Sequence, residues 1–485
     1  MVVMIGMREA ILKELAEKNT LLTPGAWKYL DSMDKPLHVV RDMINSSKEL
    51  PFPVGRDCLV SFVETAEEPS DTPIKVPTKS CVESLDVDIV CDITGNSLCT
   101  GELSDFTGHF LNRFEKLRNI LSRRREAKGV MNIRSVKKRK GDARIIAMVS
   151  DVSTTSNGNK FLTLEDPTGM IRGFVSSESE AFEQEIIEDE VIIAIGRIWE
   201  KKNGYDTTLS IDNIVRPSVP KNGRRMISDF DGKVAFISDI HVGSTTFLKD
   251  KWENFLNWME SGTDGSEDIR YLVIAGDLID GIGIYPNQED ELEIKDVYEQ
   301  YRVLGEMMKR IPSHIKVIAI PGNHDIVRNM EPQPALTEDV QKLFPKNVTF
   351  CGNPSMIRIG ELKILAYHGG SINDLSDLLT GVDSDEPCSA MREMLERRHL
   401  VPVYGKKTPI APEKEDLLVI EEVPDVFVTG HIHKTDVKTH HNTIMINAST
   451  WQGQTDYQKM RDIQPDPGKV VLYDPSTKKA KIKQC

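Results

Sequence analysis

No stretch of this 485-residue chain approaches the ~20 uninterrupted apolar residues that a membrane-spanning helix needs, so no membrane segment is expected. The N-terminus, MVVMIGMREAILKEL, acquires charge too early for a secretory leader and lacks a small-residue cleavage site, which predicts a cytoplasmic location. Cysteine is sparse: Cys58, Cys81, Cys91, Cys99, Cys351, Cys388 and Cys485, with no C-x-x-C pair. That odd number and spacing argue against a disulfide framework or a cysteine-bound zinc and predict reduced, mostly buried thiols. Positive charge is also in deficit. A net charge of −14 argues against a general nucleic-acid coat protein, although two divalent cations can reverse the local sign of an acidic pocket.

What is present is a globular composition, 39% hydrophobic and 28% charged, on a chain long enough for two or three domains. Residues 1–60 read as a small helical module, with MREAILKELAEKN carrying apolar residues at helical spacing. Residues 61–90 read as a flexible linker, because ETAEEPSDTPIKVPTKS has no apolar period. Residues 91–140 form a helical, basic connector in which Phe106, Phe110, Phe114, Leu117 and Leu121 recur every three or four positions. Between Arg113 and Arg144 stand thirteen Lys/Arg against three Asp/Glu, either a phosphate-contact surface or a solvated helix face with a basic loop. Five strand-like runs separated by Gly/Asn/Asp turns predict an OB-type barrel over 141–220. Its few aromatics and its acidic insert SSESEAFEQEIIEDE favour packing or subunit contact over holding a single strand.

From 230 to 485 the pattern changes. VAFISDI, YLVIAGD, VIAIPGN, LKILAYH and DVFVTGH are apolar, β-branched runs that each end in a polar, metal-type residue, and helical segments lie between several of them. That alternation predicts an α/β domain whose strand ends project ligands into one site. The ligand blocks are Asp239-Ile-His241, Gly276-Asp277, Gly322-Asn323-His324-Asp325, His368 and Gly430-His431-Ile-His433. On a strand, residues i and i+2 face the same way, so Asp239 and His241 should form one pincer, and His431 and His433 another. Imidazoles, carboxylates and one amide oxygen suit Mn, Fe, Zn or Mg rather than a thiolate-bound metal. Two such ions ~3.5–4 Å apart polarise a phosphoryl oxygen and activate water. Asp277, alone in its block, is the natural bridge between them.

These blocks resemble the calcineurin-like metallophosphoesterases, which include phosphatases and DNA repair nucleases. The resemblance implies that one metal takes Asp239, His241, Asp277 and His433, and the other takes Asp277, Asn323, His368 and His431. It makes His324 the catalytic histidine, with Asp325 placed to orient it. DITGNSLCTGELSDF, GDLIDGIGIYPNQ, PGNHDIVR, REMLERRHLVPVYGKKTPIAPEKEDLLVIEEVPDVFVTGHIHK and NASTWQGQTDYQKM are in turn similar to the small subunits of archaeal family D DNA polymerases. The likeness covers roughly residues 90–475. It implies an OB-type barrel joined to a calcineurin-like phosphoesterase domain, a β-sandwich flanked by helices. It also implies a two-metal 3′–5′ proofreading exonuclease, with manganese as the first expectation for the two divalent ions. The implied partners are a large catalytic polymerase subunit, in a heterodimer, and DNA with single-stranded or mismatched 3′ ends. No membrane partner is expected.

Two rivals remain at this level: a stand-alone phosphatase or phosphodiesterase, and a non-catalytic assembly subunit whose ligands are idle. Outside the blocks, Asp280 is either an orienting acid or an ordinary loop acid. Arg328 is a candidate phosphate contact, His440 and His441 read as solvent-facing, and PIAPEKEDLLVIEEVPD reads as a Pro-punctuated surface segment.

Overall fold

The computed structural model describes residues 86–199, 207–221, 227 and 230–485, with scattered positions between 11 and 54. It divides into two units, Met1–Val82 and Glu83–Cys485. In the first unit, helix Pro24–Leu30 contributes Ala26 and Leu30 to a small apolar cluster with Ile11, Leu15, Val40 and Met43. Leu22 and Val54 join the same cluster and form a parallel bridge, while most other residues of the expected helical module, and most of the expected linker, lie outside the described residues.

The second unit begins with β1 (Val87–Cys91), which pairs antiparallel with residues 355–359. A stretch that composition assigns to the end of a linker and the start of a connector is therefore a sheet edge. Helix α1 (Leu103–Ser122) follows, and its Phe114, Leu117 and Leu121 pack on Ile146, Met148, Val191 and Ile193. Its basic residues are largely consumed internally. Arg113 is fully buried and pairs with Asp416 at 2.8 Å, and Lys116 reaches Glu415 and Glu421 at 2.8 and 2.7 Å. Arg124, just past the helix end, donates to the carbonyls of Pro217 and Ser218. The phosphate-contact reading does not hold for these three, whereas Arg134, Lys137, Lys138 and Arg139 stay exposed.

Strands β2 (Gly141–Thr154), β3 (Lys160–Asp166), β4 (Gly169–Val175), β5 (Val191–Trp199) and β6 (Thr208–Val215) close into a barrel in the order β2-β3-β4-β6-β5. The β4–β6 pair is parallel. Alternate residues such as Ile145, Ala147, Leu162, Leu164 and Ile171 fill the inside, as the two-residue side-chain period requires. Three of the barrel's few aromatics gather on one outer face, while Phe182 packs against its core. Phe161, Phe174 and Trp199 have ring centroids 5.3 and 6.5 Å apart in turn, and Arg172 lies 3.8 Å above Phe161.

The remaining chain runs β7 (Lys233–Ile237), α2 (Lys249–Ser261), β8 (Ile269–Ala275), α3 (Val297–Met308), β9 (Lys316–Ile320), β10 (Val348–Phe350), β11 (Ser355–Ile359) and β12 (Leu362–Ala366). It continues through α4 (Ile372–Leu378), α5 (Pro387–Arg397), β13 (Val426–Thr429), β14 (Asp436–His440), β15 (Thr443–Asn447), α6 (Asp456–Met460), β16 (Lys469–Asp474) and β17 (Lys479–Gln484). Two six-stranded sheets result, β10-β9-β8-β7-β16-β17 and β1-β11-β12-β13-β15-β14. Phe236, Val273 and Ile318 of one sheet meet Ile357, Ile364, Val426 and Val428 of the other. Helices α2 and α3 cover the first sheet's outer face with Trp252, Phe255, Tyr301 and Leu304, while α4 and α5 cover the second. Because these strands are buried on both faces, they read as continuous apolar runs rather than alternating ones. Within the sheets β7, β8 and β9 are mutually parallel, as are β12, β13 and β15. Their carboxyl ends bring the ligand blocks together.

Two expectations need correction here. The Pro-punctuated segment is not a surface loop: Glu413 and Asp416 are buried and receive Ser97, His109 and Arg113 from the chain around α1. The thiols are less buried than predicted, since among the described cysteines only Cys351 and Cys388 are buried and Cys91 is exposed.

Candidate metal centre

Each block starts just past a strand. Asp239, Asp277, His368 and His431 stand two residues beyond β7, β8, β12 and β13, and Asn323 stands three beyond β9. Asp239 and His241 do converge on one group, as expected of a pincer, but strand alternation is not what orients the ligands. Asp239, His241, Asp277, His431 and His433 have φ of 52°, 54°, 49°, 69° and 59°, all left-handed. Such backbone costs of order 1–3 kcal/mol per residue and persists where the surroundings over-determine it. The chain has left the sheet at these points, and each side chain is aimed individually. As a result His431 and His433 do not share a side.

His433 joins Asp239 and His241. Its Nε2 is 3.2 Å from Asp239 Oδ1 and 3.1 Å from His241 Nε2. His431 joins the other group, its Nδ1 3.3 Å from His368 Nε2, which is 3.0 Å from Asn323 Oδ1 and 3.3 Å from Asp277 Oδ2. That same Asp277 oxygen lies 3.7 Å from His241 Nε2, so it stands between the two groups. Within each triad, Asp239–His241–His433 and Asp277–His368–His431, the ligating atoms lie within 4.8 Å of one another.

Glycine makes this crowding feasible. A Cβ on Gly322 would sit 2.2 Å from Asp277 Oδ1, and one on Gly430 would sit 2.4 Å from Asp239 Oδ2. The amides thus brought close bind the carboxylates: His324 N donates to Asp277 Oδ1 at 2.9 Å, and His431 N to Asp239 Oδ2 at 2.9 Å.

Orientation comes from a surrounding polar layer. His241 Nδ1 is 2.9 Å from Asp280 Oδ1, and His368 Nδ1 is 2.9 Å from the Ala275 carbonyl, which leaves each Nε2 facing the centre. Gln288 and Gln452 donate to the Asp280 carboxylate, so Asp280 is an orienting acid rather than an idle one. His324 Nδ1 lies 2.8 Å from the Asp280 carbonyl. Asp325 does not orient His324. It accepts from the Gly322 and Leu278 amides and from the Tyr301 hydroxyl, which braces one ligand loop against another. Arg328 is not free for phosphate, being bound to Glu413 at 3.0 Å and to Ser97 and the Pro332 carbonyl. His440 and His441 are not solvent-facing. Their ring centroids lie 4.0 Å apart at a tilt of 36°, and His440 bonds Glu396 at 2.7 Å.

The electrostatics favour cations. Burial would lower the pKa of His241, but Asp239 and Asp280 raise it to about 10. Burial acts likewise on His368, and Asp277 raises it to about 10. Burial and the neighbouring His368 push His431 down to about 3. Burial also lowers His324. The carboxylates that raise His241 and His368 put negative potential at the centre, and its mixed nitrogen and oxygen donors are of the kind that hold metal cations. Sequence reasoning missed two polar contacts, Asn373 Nδ2 at 3.2 Å from His431 Nε2 and Gln458 Nε2 at 3.0 Å from His433 Nδ1. Neither residue carries a spacing signal.

Residues 234–438 match the B-subunit family of DNA polymerases alpha and epsilon. The DNA polymerase II small subunit of Archaeoglobus fulgidus is 40% identical over 414 residues, 84% of this chain and 82% of that protein. The DNA polymerase II small subunit of Methanothermobacter thermautotrophicus is 38% identical over 482 residues, 96% of this chain and 97% of that protein. Among solved structures, a novel archaeal phosphodiesterase is similar at 12% identity with a TM-score of 0.26, over 52% of this chain and 98% of its own, a score too low to bear on the fold.

Proposed function

Because this chain belongs to the archaeal DNA polymerase II small-subunit family, we propose that it is the two-metal 3′–5′ exonuclease partner of a large catalytic polymerase subunit, removing unpaired 3′ nucleotides from DNA. The observation that carries this is Asp277, standing between two complete donor groups, with His324 lining the same cavity of about 600 Å³. The five-stranded barrel, with its parallel third and fifth strands, is read as OB-type, and the two-sheet sandwich as calcineurin-like. By the same reading 141–220 and 230–485 are the two working domains and 91–140 the connector.

Asp239, His241, Asp277 and His433 would hold one cation, and Asp277, Asn323, His368 and His431 the other, with manganese the first expectation. When bound, the ions supply Lewis-acid polarisation of the phosphoryl group and activation of a water. The chain's own contribution is position and proton transfer. The Asp280 carbonyl fixes Nδ1 of His324, so Nε2 is the atom left to meet substrate and give a proton to the departing 3′-oxygen. Burial lowers the proton affinity of this ring, which makes its protonated form the stronger acid. Exposed Arg134, Lys137, Lys138 and Arg139 offer the DNA backbone a positive strip outside the acidic centre.

The test is to incubate the chain with Mn²⁺ or Mg²⁺ and 3′- or 5′-labelled DNA, alone and with a large polymerase subunit. Products shortening stepwise from the 3′ end are expected. His324→Ala should abolish hydrolysis while metal content and subunit binding stay near those of the parent. Equal rates in variant and parent reject the assignment.

A further inference from the structure

The metal cavity has a second wall that the chemistry above does not use. It carries Tyr285, Tyr457 and Arg461, and the same cavity is lined by His241, Asp277, His324 and His433. The two tyrosine rings are stacked, 5.8 Å between centroids at 28°. The guanidinium of exposed Arg461 lies 4.7 Å over Tyr457, and Tyr285 is 6.5 Å from the His324 ring. A row of planar groups therefore connects solvent-facing Arg461 to the ring of His324.

The row is tied to the ligands from both ends. Tyr457 lies on α6, whose start is capped reciprocally by Thr455 and Gln458, and the Gln458 amide is the group bonded to His433. Tyr285 lies three residues before Gln288, which bonds both the carbonyl and the carboxylate of Asp280, the residue holding His241 and His324. Both tyrosines thus keep a fixed distance from the metal ligands. A purely structural latch would bury its rings, yet Tyr457 is 38% exposed and Tyr285 only half-buried. Flat aromatic faces flanked by a guanidinium bind nucleobases without regard to sequence, because every base has a π-face.

We propose that Tyr285, Tyr457 and Arg461 form a stacking site for the nucleobase of the 3′-terminal nucleotide, beside the two donor groups. This rests on the nuclease reading and names its substrate requirement. A terminal base must leave its own helical stack to join the tyrosine row, so an unpaired end enters and a paired end resists. Selection for frayed termini then comes from the cost of unstacking rather than from hydrogen-bond reading of the base.

The experiment uses the full chain with its large polymerase subunit and Mn²⁺. Single-stranded DNA ending in adenosine is compared with the same strand ending in an abasic tetrahydrofuran nucleotide. The parent is expected to prefer the base-bearing end by about tenfold in kcat/KM, within the range that stacking of one base supplies. Tyr457→Leu should collapse that preference to about one, mainly through KM, and Tyr457→Phe should keep it. An undiminished preference in Tyr457→Leu overturns the proposal. A second arm separates it from the nuclease reading: 2-aminopurine placed at the 3′ end is followed by fluorescence on binding to His324→Ala protein, where no cleavage is needed. Quenching that is lost in His324→Ala/Tyr457→Leu supports the stack even if the parent cleaves no DNA. Equal quenching in both proteins, or none in either, rejects it.

Discussion

Nδ1 of His241 sits 2.9 Å from Oδ1 of Asp280, and the carbonyl of the same aspartate sits 2.8 Å from Nδ1 of His324. One loop residue thus sets the tautomer of a candidate ligand through its side chain and that of the candidate acid through its backbone. The two roles are separable. Asp280→Ala removes only the carboxylate, so Mn²⁺ affinity should fall by about 10–100-fold, the usual penalty for losing a ligand's orienting partner. At saturating Mn²⁺ the turnover number should fall far less, because the carbonyl remains. Isothermal titration and the Mn²⁺ dependence of cleavage measure both, and unchanged affinity would show that the loop alone orients His241.

How much of this is readable in the sequence depends on how local each signal is. The strands of the sandwich are legible because burial on both faces leaves runs such as VAFI and YLVIA with no charged residue before the ligand block. The membership of each block is legible as well, since glycine beside an acid or histidine at a strand end marks a place where backbone approaches a site. The direction of each side chain is not. Left-handed φ at His431 and His433 sends neighbours two apart into different groups, and no alternation rule contains that. Long-range partners are equally hidden. Nothing near Arg113 announces Asp416, 303 positions away, so a buried ion pair reads as part of a basic surface.

Glycine offers a contrast between two sites. At Gly322 a Cβ would lie 2.2 Å from Asp277 Oδ1 and 2.5 Å from the Asp277 amide, so Gly322→Ala must displace the shared carboxylate. Metal stoichiometry measured by mass spectrometry of the native chain should fall below that of the parent. At Gly108, inside α1, nothing lies within 4 Å of a built Cβ and φ is ordinary. Gly108→Ala should raise stability by about 0.5–1 kcal/mol through the unfolded chain and leave metal binding unchanged. Metal loss of equal size in both variants would mean that the close approach at Gly322 is not what places Asp277.

Asp416 tests whether the segment around it anchors helix α1. Its carboxylate is fully buried and takes Arg113 at 2.8 Å, His399 at 2.9 Å and His109 at 3.2 Å. Burial opposes its ionisation, but His399 and Arg113 hold the carboxyl well below the usual range. Asp416→Ala strands a buried guanidinium and should cost roughly 3–5 kcal/mol in chemical denaturation. Mn²⁺ binding should persist under native conditions, because the cluster does not touch the ligands. A loss under about 1 kcal/mol would indicate that water replaces the carboxylate and that apolar packing of Phe114, Leu117 and Leu121 carries the helix.

The Glu396 cluster gives a pH dependence with a definite sign. Its carboxylate bonds His440 at 2.7 Å and accepts the Ser218 hydroxyl, joining the segment after the barrel to the end of β14. Burial would raise this carboxyl, but the bonds from His440 and Ser218 outweigh it and hold the pKa at about 2. A pKa depressed in the folded state stabilises above the unfolded value, near 4.5, and that stabilisation drains away as pH falls from there toward 2. Near pH 5 the parent should therefore exceed Glu396→Gln in stability by roughly 1–2 kcal/mol after solvent screening. The gap should narrow steadily as melts are repeated down to about pH 3. A gap that keeps its size over that range would assign the effect to side-chain shape, because glutamine matches the volume of glutamate but has no proton to gain.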